Sequence, residues 1–340
     1  MSERPYHKSL RLENFTAFAD ASLEFVPGVN VFVGENGTGK SHAMKLLYAA
    51  HRALYQPGQI TATYFGRLFQ VELPIELVRL GRTPSTSTIR GEFGGAQWTF
   101  QVAVSGVFLE FKPPNAGNSP RSVFVPSMDM MGHSKGFLAA NNEIVLDFDQ
   151  TCIDVVSLLS LVRQNNSEPV PAYDTLKRLL GGDLELDDST GRFYLTSPVG
   201  RMAMPLVAEG IRKIATLVRL YQNGWLAPGS TLFWDEPEVN LNPKVMDEVV
   251  GALLELARSG VQIFLATHSY VILKELDLQA GRADNVRYFA FQRGDSGTVV
   301  NPTDDFALLE PNPILDQYDS LYDRDLTRAT GRNRHGEPVR

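Results

Sequence analysis

The sequence predicts an α/β fold: a mixed central sheet with an antiparallel β-subdomain and a helical subdomain attached. Three observations predict it. The apolar run Val31-Phe32-Val33 enters a glycine-rich bend, Gly34 to Ser41, which opens a helical pattern from about Ser41 to Tyr55. Much later, the buried-type strand Thr231-Leu232-Phe233-Trp234, an amphipathic helix over Val245 to Arg258 and the buried-type strand Val261 to Ala266 follow in turn. That spacing makes a parallel sheet with right-handed crossovers. Between these halves, over Ile89 to Lys112, the hydrophobic period changes to two, as antiparallel strands require.

Composition bounds the answer. At 340 residues with 43% hydrophobic and 21% charged side chains, the chain reads as a soluble globular protein with a large core. The net charge of −7 argues against a broadly basic nucleic-acid surface. Cys152 is the only cysteine, which leaves no intramolecular disulfide and no cysteine-based metal site. The start, Met1 to Ser9, is polar and lacks the apolar core of a signal peptide, and no apolar run is long enough for a bilayer. A cytoplasmic protein without a membrane partner is the expectation.

Taken in order, residues 1–125 form the first lobe. Leu10 to Leu12 and Ser22 to Phe25 alternate around Asn14 to Phe18 as two antiparallel strands, and the Pro27-Gly28 turn feeds the strand before the bend. Met44, Leu47, Tyr48 and Leu54 set the apolar face of the next helix. Trp98, Phe100, Val102 and Val104 alternate up to a turn at Ser105-Gly106, after which Val107, Leu109 and Phe111 alternate again. Pro113 to Pro120 reads as a loop and Val123 to Val125 as a strand. Residues 126–228 read as a helical subdomain. Met128 to Asn142 is expected to be loose, with Met128, Met130 and Met131 as gap fillers. Helices follow over Cys152 to Val162 and Tyr173 to Leu180, separated by a loop, Arg163 to Pro171, and the second stops at Gly181-Gly182. Leu184 to Thr196 reads as a hairpin, and Gly210 opens a helix with Ile211, Ile214, Ala215 and Val218 on one face. Residues 229–326 return to the sheet, with a helix starting at Tyr270 and a closing hairpin of Asn285 to Phe291 with Thr298 to Val300. Residues 327–340 are Arg-rich, short of large apolar side chains and expected to be disordered.

The bend carries the chemistry. Gly34, Gly37 and Gly39 let the backbone curl, with Asn36 and Thr38 between them, so that successive N–H groups face phosphate oxygens. The helix behind aims its positive end at the same anion. Lys40 reaches the outer phosphates and the Ser41 hydroxyl ligates Mg²⁺. His42 is set with these contact residues, although a histidine on such a helix is ordinarily a plain helix residue, as His51 is. Asp235-Glu236 ends the strand Leu232 to Trp234, and a carboxylate there faces the same crevice. Asp235 is placed to hold Mg²⁺ through water and Glu236 to polarise an attacking water.

Asp235 to Pro243 resembles the extended Walker B and D-loop of ABC-type ATPases, and Thr267-His268-Ser269 resembles their switch histidine. Ala208-Glu209-Gly210-Ile211-Arg212 sits where their signature sequence belongs. Leu10 to Ser41 is similar to the non-transporter branch: SMC, RecF and overcoming-lysogenisation-defect-like ATPases. The end, Asn312 to Tyr322, also looks like that of small bacterial ATPases of the last kind. The resemblance implies an ABC-ATPase-like P-loop NTPase that sandwiches two ATP between head-to-tail subunits. Gly210 would then cap the γ-phosphate in trans, His268 would contact it in cis, and Asn242 would lie at the dimer seam. Three departures stand out. Ala208 replaces the signature serine, which removes a hydrogen bond worth roughly 1–2 kcal/mol. Asn242 replaces the D-loop aspartate. The usual glutamine of the Q-loop has Gln150 as its candidate, with the loop after Val125 as the alternative.

The expected function is a Mg²⁺-dependent, slow ATPase whose dimer state is coupled to a separate effector, a nuclease or toxin, in anti-phage defence. The alternatives are a RecF-like repair ATPase on duplex DNA and an ATP-bound scaffold that hydrolyses little. A transporter subunit is a further, less favoured reading.

Overall fold

The computed structural model describes residues 4–56, 60–79, 86–111, 121–143, 147–162 and 171–330. Its elements run β1 (His7–Phe15), β2 (Phe18–Glu24), β3 (Val29–Gly34), α1 (Lys40–Tyr55), α2 (Ala62–Phe69), β4 (Ser87–Phe93), β5 (Ala96–Ala103), β6 (Gly106–Phe111), β7 (Ser122–Val125), α3 (Phe137–Glu143), α4 (Gln150–Leu159) and α5 (Pro171–Leu180). They continue as β8 (Asp183–Asp187), β9 (Arg192–Ser197), β10 (Gly200–Ala203), α6 (Glu209–Gln222), β11 (Thr231–Asp235), α7 (Met246–Ser259), β12 (Gln262–Thr267), α8 (Tyr270–Gln279), β13 (Val286–Gly294), β14 (Gly297–Thr303) and α9 (Pro313–Thr330).

The central sheet has the order β14-β13-β3-β12-β11-β7. All neighbours pair in parallel except β13 with β14, so the sheet is mixed as expected. Its two faces carry different side chains because the strand period is two. Val31, Val33, Leu232, Trp234, Ile263 and Leu265 face the core shared with α4 to α8. Phe32, Phe124, Phe233, Phe264 and Phe289, one from each of the five parallel strands, face α1 and the other sheet. Their rings form a row across the strands: Phe124–Phe233 at 6.1 Å, Phe233–Phe264 at 5.0 Å, Phe264–Phe32 at 6.0 Å and Phe32–Phe289 at 5.3 Å. Such aromatic contacts add to area burial and stiffen the floor on which the glycine-rich bend rests.

The second sheet has the order β2-β1-β4-β5-β6 and is antiparallel throughout. The strands expected near the N-terminus and the strands expected over Ile89 to Lys112 thus join in one sheet, because β1 pairs on its other edge with β4. A third sheet, β10-β9-β8, extends the expected hairpin by one strand.

Three further expectations need correction, and one helix was not expected at all. Met128 to Asn142 is not wholly loose: α3 begins at Phe137, and Met130 and Met131 are buried while Met128 is exposed. The helix α2, whose apolar face is Tyr64, Phe65, Leu68 and Phe69, had no counterpart in the sequence reading. The stretch expected to be disordered from residue 327 starts inside α9, which runs to Thr330. Helix α7 begins one residue later than expected, at Met246, because Pro243–Val245 form a 3₁₀ turn capped by Asn242. The loop at Pro113 to Pro120, residues 163–170 and residues 331–340 lie outside the described residues.

Candidate nucleotide site

The site follows from strand order. β3, β12 and β11 are parallel neighbours, with Thr267 beside Val33 and Ala266 beside Asp235. Their C-terminal tips therefore lie side by side, which brings Gly34, Asp235 and His268 to one edge although they are distant in sequence. A cleft of about 370 Å³ opens there, lined by Thr16, Ala17, Asn36, Gly37, Gly39, Lys40, Ser41, His42, Asp235, Glu236 and His268.

The bend needs its glycines. Gly37 has φ +76° and Gly39 φ +95°, backbone that side chains with a Cβ rarely adopt. A Cβ on Gly39 would also stand 2.5 Å from the Phe18 ring. Gly34 and Thr38 shape the bend from behind the cleft. Gly34 is pressed against the Phe291 carbonyl, and the Thr38 hydroxyl donates to Glu35 O at 2.8 Å. Lys40 Nζ folds over the loop and donates to Gly34 O at 2.7 Å and Glu35 O at 2.9 Å. Burial lowers its pKa, against the pull of Asp235, Glu236 and Glu238. Arg293, from the β13–β14 hairpin, braces the outside of the bend by donating to Asn36 O at 2.9 Å.

Burial pushes the Asp235 carboxyl up to about 6, with the Ser41 hydroxyl donating to it and Lys45 and Lys40 opposing the shift. A desolvated carboxylate beside a hydroxyl is an oxygen donor set that suits Mg²⁺, which takes one or two carboxylates and completes its shell with water and phosphate. Among the described residues no group of three or more His, Cys, Asp and Glu could hold a metal unaided. Glu236 has φ +49°, a left-handed conformation that costs a non-glycine residue of order 1–3 kcal/mol. Its N–H donates to Ala266 O at 2.9 Å. Its carboxylate is partly exposed and lies 4.0 Å from His268 Nε2. Burial, then Lys40, lowers the His268 pKa, so the ring is neutral at pH 7.

Not every expected contact residue reaches the cleft. His42 lines it, but its Nδ1 is 3.2 Å from Thr16 Oγ1, and burial brings its pKa down to about 4. It joins the β1–β2 turn to α1. Asn242 is exposed, lies outside the cleft and accepts from Lys244 N at 3.0 Å. Gly210 is itself buried: a Cβ there would stand 2.5 Å from Asn240 O. It therefore fits α6 against the loop after β11, while Ala208, just before it, is the exposed residue of the helix start. Gln150 lies outside the cleft and donates to Asp154 Oδ1 at 2.9 Å, and the stretch from Pro126 to Asp149 has no other glutamine.

Three groups escaped the sequence reading. Thr16 and Ala17 enter the cleft because the β1–β2 turn is tight, with Asn14 at φ +58° and Thr16 at φ +45°. The short Asn14 to Phe18 segment between two alternating runs was the available signal. Glu238 accepts from Thr267 Oγ1 at 3.0 Å and His268 N at 2.6 Å, and so holds the tip of β12 beside the loop after β11. Nothing local in sequence marks such a long-range clamp.

Comparison with known proteins places this geometry. Residues 200–274 match the family described as "AAA domain, putative AbiEii toxin, Type IV TA system", and residues 9–50 match an "AAA domain" family. A 43-residue stretch is 44% identical to the DNA replication and repair protein RecF of Pediococcus pentosaceus, covering 13% of this chain and 12% of that protein. Three SMC heads share the fold. One, bound to the C-winged helix domain of ScpA, has TM-score 0.57 at 14% identity over 88% of this chain and 97% of that one. One, with an extended coiled coil and the C-terminal domain of ScpA derived from Pyrococcus furiosus, has TM-score 0.56 at 12% identity over 94% and 100%. One from Thermotoga maritima has TM-score 0.50 at 13% identity over 87% and 98%. The family matches fall on the two halves of the cleft, and the structural likeness embraces nearly all of both chains, so the chain has the fold of SMC heads and carries two AAA-domain segments at the cleft.

Proposed function

We propose that the chain binds Mg²⁺-ATP in this cleft, hydrolyses it slowly, and does so as a head-to-tail dimer coupled to a separate effector protein. The observation that carries the reading is the convergence of Lys40, Ser41, Asp235, Glu236 and His268 on one cleft. Lys40 gives up its two loop carbonyls for phosphate oxygens. Ser41 and Asp235 hold the metal, which when bound neutralises charge on the transferring phosphoryl group. Glu236 orients water and takes its proton, and neutral His268 hydrogen-bonds the outer phosphate.

The dimer rests on the family resemblance and on the exposed start of α6. With Gly210 buried, the trans contact is made by the N–H groups around Ala208 and Glu209, and Asn242 is exposed. The missing serine hydroxyl at Ala208 favours slow turnover. A nuclease or toxin effector, a role in anti-phage defence and a cytoplasmic site belong to the same proposal. No helix among the described residues is long and apolar enough to cross a membrane.

Turnover and size-exclusion chromatography with light scattering test it. Glu236→Gln is expected to lower kcat at least about 100-fold while it stabilises an ATP-dependent dimer. Lys40→Ala should abolish both. A wild-type rate unchanged by Glu236→Gln would leave the ATP-bound scaffold as the better reading. The RecF stretch favours duplex DNA binding as a second reading, whereas the net charge of −7 opposes it. ATP-dependent binding to duplex that weakens steeply with salt would select it, and DNA cleavage by the chain alone would overturn the division of labour with an effector.

A further inference from the structure

Lys213 has no part in the chemistry described so far. It lies in α6, one turn before Leu217 and two before Leu220, and is 2% exposed. Its Nζ crosses to the loop after β11 and donates to Glu236 O at 3.3 Å. Asp129, Glu209, Glu236 and Glu238 all attract its charge, while burial opposes that charge. Burial costs this charge more than the surrounding acids return, so fold stability alone does not explain a lysine here.

The carbonyl it holds belongs to the residue whose backbone is left-handed, Glu236. That residue is pinned through both of its peptides. The N–H donates to Ala266 O at 2.9 Å, and the carbonyl accepts from Val239 N at 3.2 Å as well as from Lys213. The direction of a side chain is set by its own φ and ψ, so relaxation of this peptide would swing the carboxylate away from Asp235 and His268. Lys213 is the one side chain with a hydrogen bond to this carbonyl among the described residues, and it comes from the helix whose first residues are Glu209 and Gly210.

We propose that Lys213 is a positioning residue: through the Glu236 carbonyl it holds the strained peptide that aims the Glu236 carboxylate into the cleft, and it ties that aim to the seating of α6. The inference rests on the reading of the cleft as an ATPase site. The test uses the full chain with Lys213→Met, which keeps the volume and removes the donor, and Lys213→Arg, which keeps donors. Lys213→Met is expected to lower kcat about tenfold, because small misplacement of a positioned group is costly, while KM for ATP stays within about twofold. Its melting temperature should be equal or higher, and the amides of Val239 and Leu241 should exchange faster with solvent than in the wild type. Lys213→Arg should recover most of the rate. A kcat within about twofold of wild type in Lys213→Met, or a lower kcat accompanied by a lower melting temperature and unchanged exchange at Val239 and Leu241, would overturn the proposal. If the wild type shows no turnover sensitive to Glu236→Gln, the ATPase reading fails, and the exchange comparison still decides whether Lys213 holds the peptide.

Discussion

Asp235 shows how burial of one carboxyl at the cleft costs stability. Its carboxyl is pushed up to about 6 by burial, so the ionised form is disfavoured in the folded chain relative to the unfolded one. For an acid raised in this way the penalty is absent below the unfolded pKa, near 4, grows between about 4 and about 6, and is constant above. Asp235→Asn should therefore raise the melting temperature of the ligand-free protein at pH 7.5, and the gain should shrink toward zero as pH falls to about 4. Thermal denaturation across that range checks it, and a gain independent of pH would refute the electrostatic cause. The same substitution should abolish Mg²⁺-dependent ATP binding. Stability lost at the site is the ordinary consequence of holding a charge ready for a ligand that supplies its counter-charge. Of the residues that line the cleft, Gly37, Gly39, Lys40, Ser41, Asp235 and Glu236 were expected from local runs whose spacing has a chemical reason, and His268 was expected from the family resemblance. Thr16 and Ala17 were not, because only the tight β1–β2 turn carries them there, and Glu238 and Lys213 were not, because their partners lie far away in the chain.

At the level of elements, α6 and the loop after β11 act as one piece. Gly210 fits the helix against Asn240, Lys213 reaches Glu236, and Arg212 pairs with Asp129 at 2.6 Å. Two effects oppose each other in Gly210→Ala. Alanine favours a helix by about 1 kcal/mol over glycine. The added Cβ would meet the Asn240 backbone at 2.5 Å, and backbone has no rotamer to escape into. Overpacking of that kind costs about 1–3 kcal/mol, so it wins and the variant should melt a few degrees lower. A rise in melting temperature would mean that the loop yields freely, and α6 could not then transmit its position to Glu236. Helix α4 makes a comparable joint on the opposite side. Its cap Asp149 takes Lys45 of α1 at 2.8 Å, and Asp154 accepts from Tyr48, Tyr64 and Gln150. The helix that follows the glycine-rich bend is thus fastened to the helical core by a satisfied polar network. Helix periodicity announced α1, α4, α5 and α7 within a few residues. It did not announce α2 or α9, the first because it is short, the second because of its side chains only Ile314 is buried and an apolar face is hardly needed.

For the whole molecule, the interface between the two sheets sets the response to acid. His7 is fully buried among Phe93, Phe233, Phe264 and His51, and neither ring nitrogen has a hydrogen-bond partner among the described residues. Burial, then His51, holds its pKa well below 6.5, and burial, then Lys45, holds His42 at about 4. A histidine kept neutral by the fold lets the unfolded state take the proton first. Its contribution is intact above about 6.5 and is lost as pH falls, at up to about 1.4 kcal/mol per pH unit for each such group. For His42 the loss ends near 4. His7→Phe should flatten the acid limb of a urea-denaturation profile measured between pH 7 and 4.5, and an unchanged slope would show that His7 is not its source.

The sequence by itself determined the local chemistry and the type of most elements. A glycine-rich bend between strand and helix, and two acids at the end of an apolar strand, have few other uses, and periods of two and 3.6 separate strands from helices. The tertiary structure alone decided that β1 and β2 join β4 to β6 in one sheet, that Gly210 is buried while Ala208 is exposed, and that Lys213 and Glu238 reach the edge that carries the cleft. The reason is physical. Short-range patterns record what a residue does to its own backbone, whereas pairing order, close packing and long-range hydrogen bonds are set by which segments compete for the same buried space, and that competition leaves no mark within a few residues of any one position.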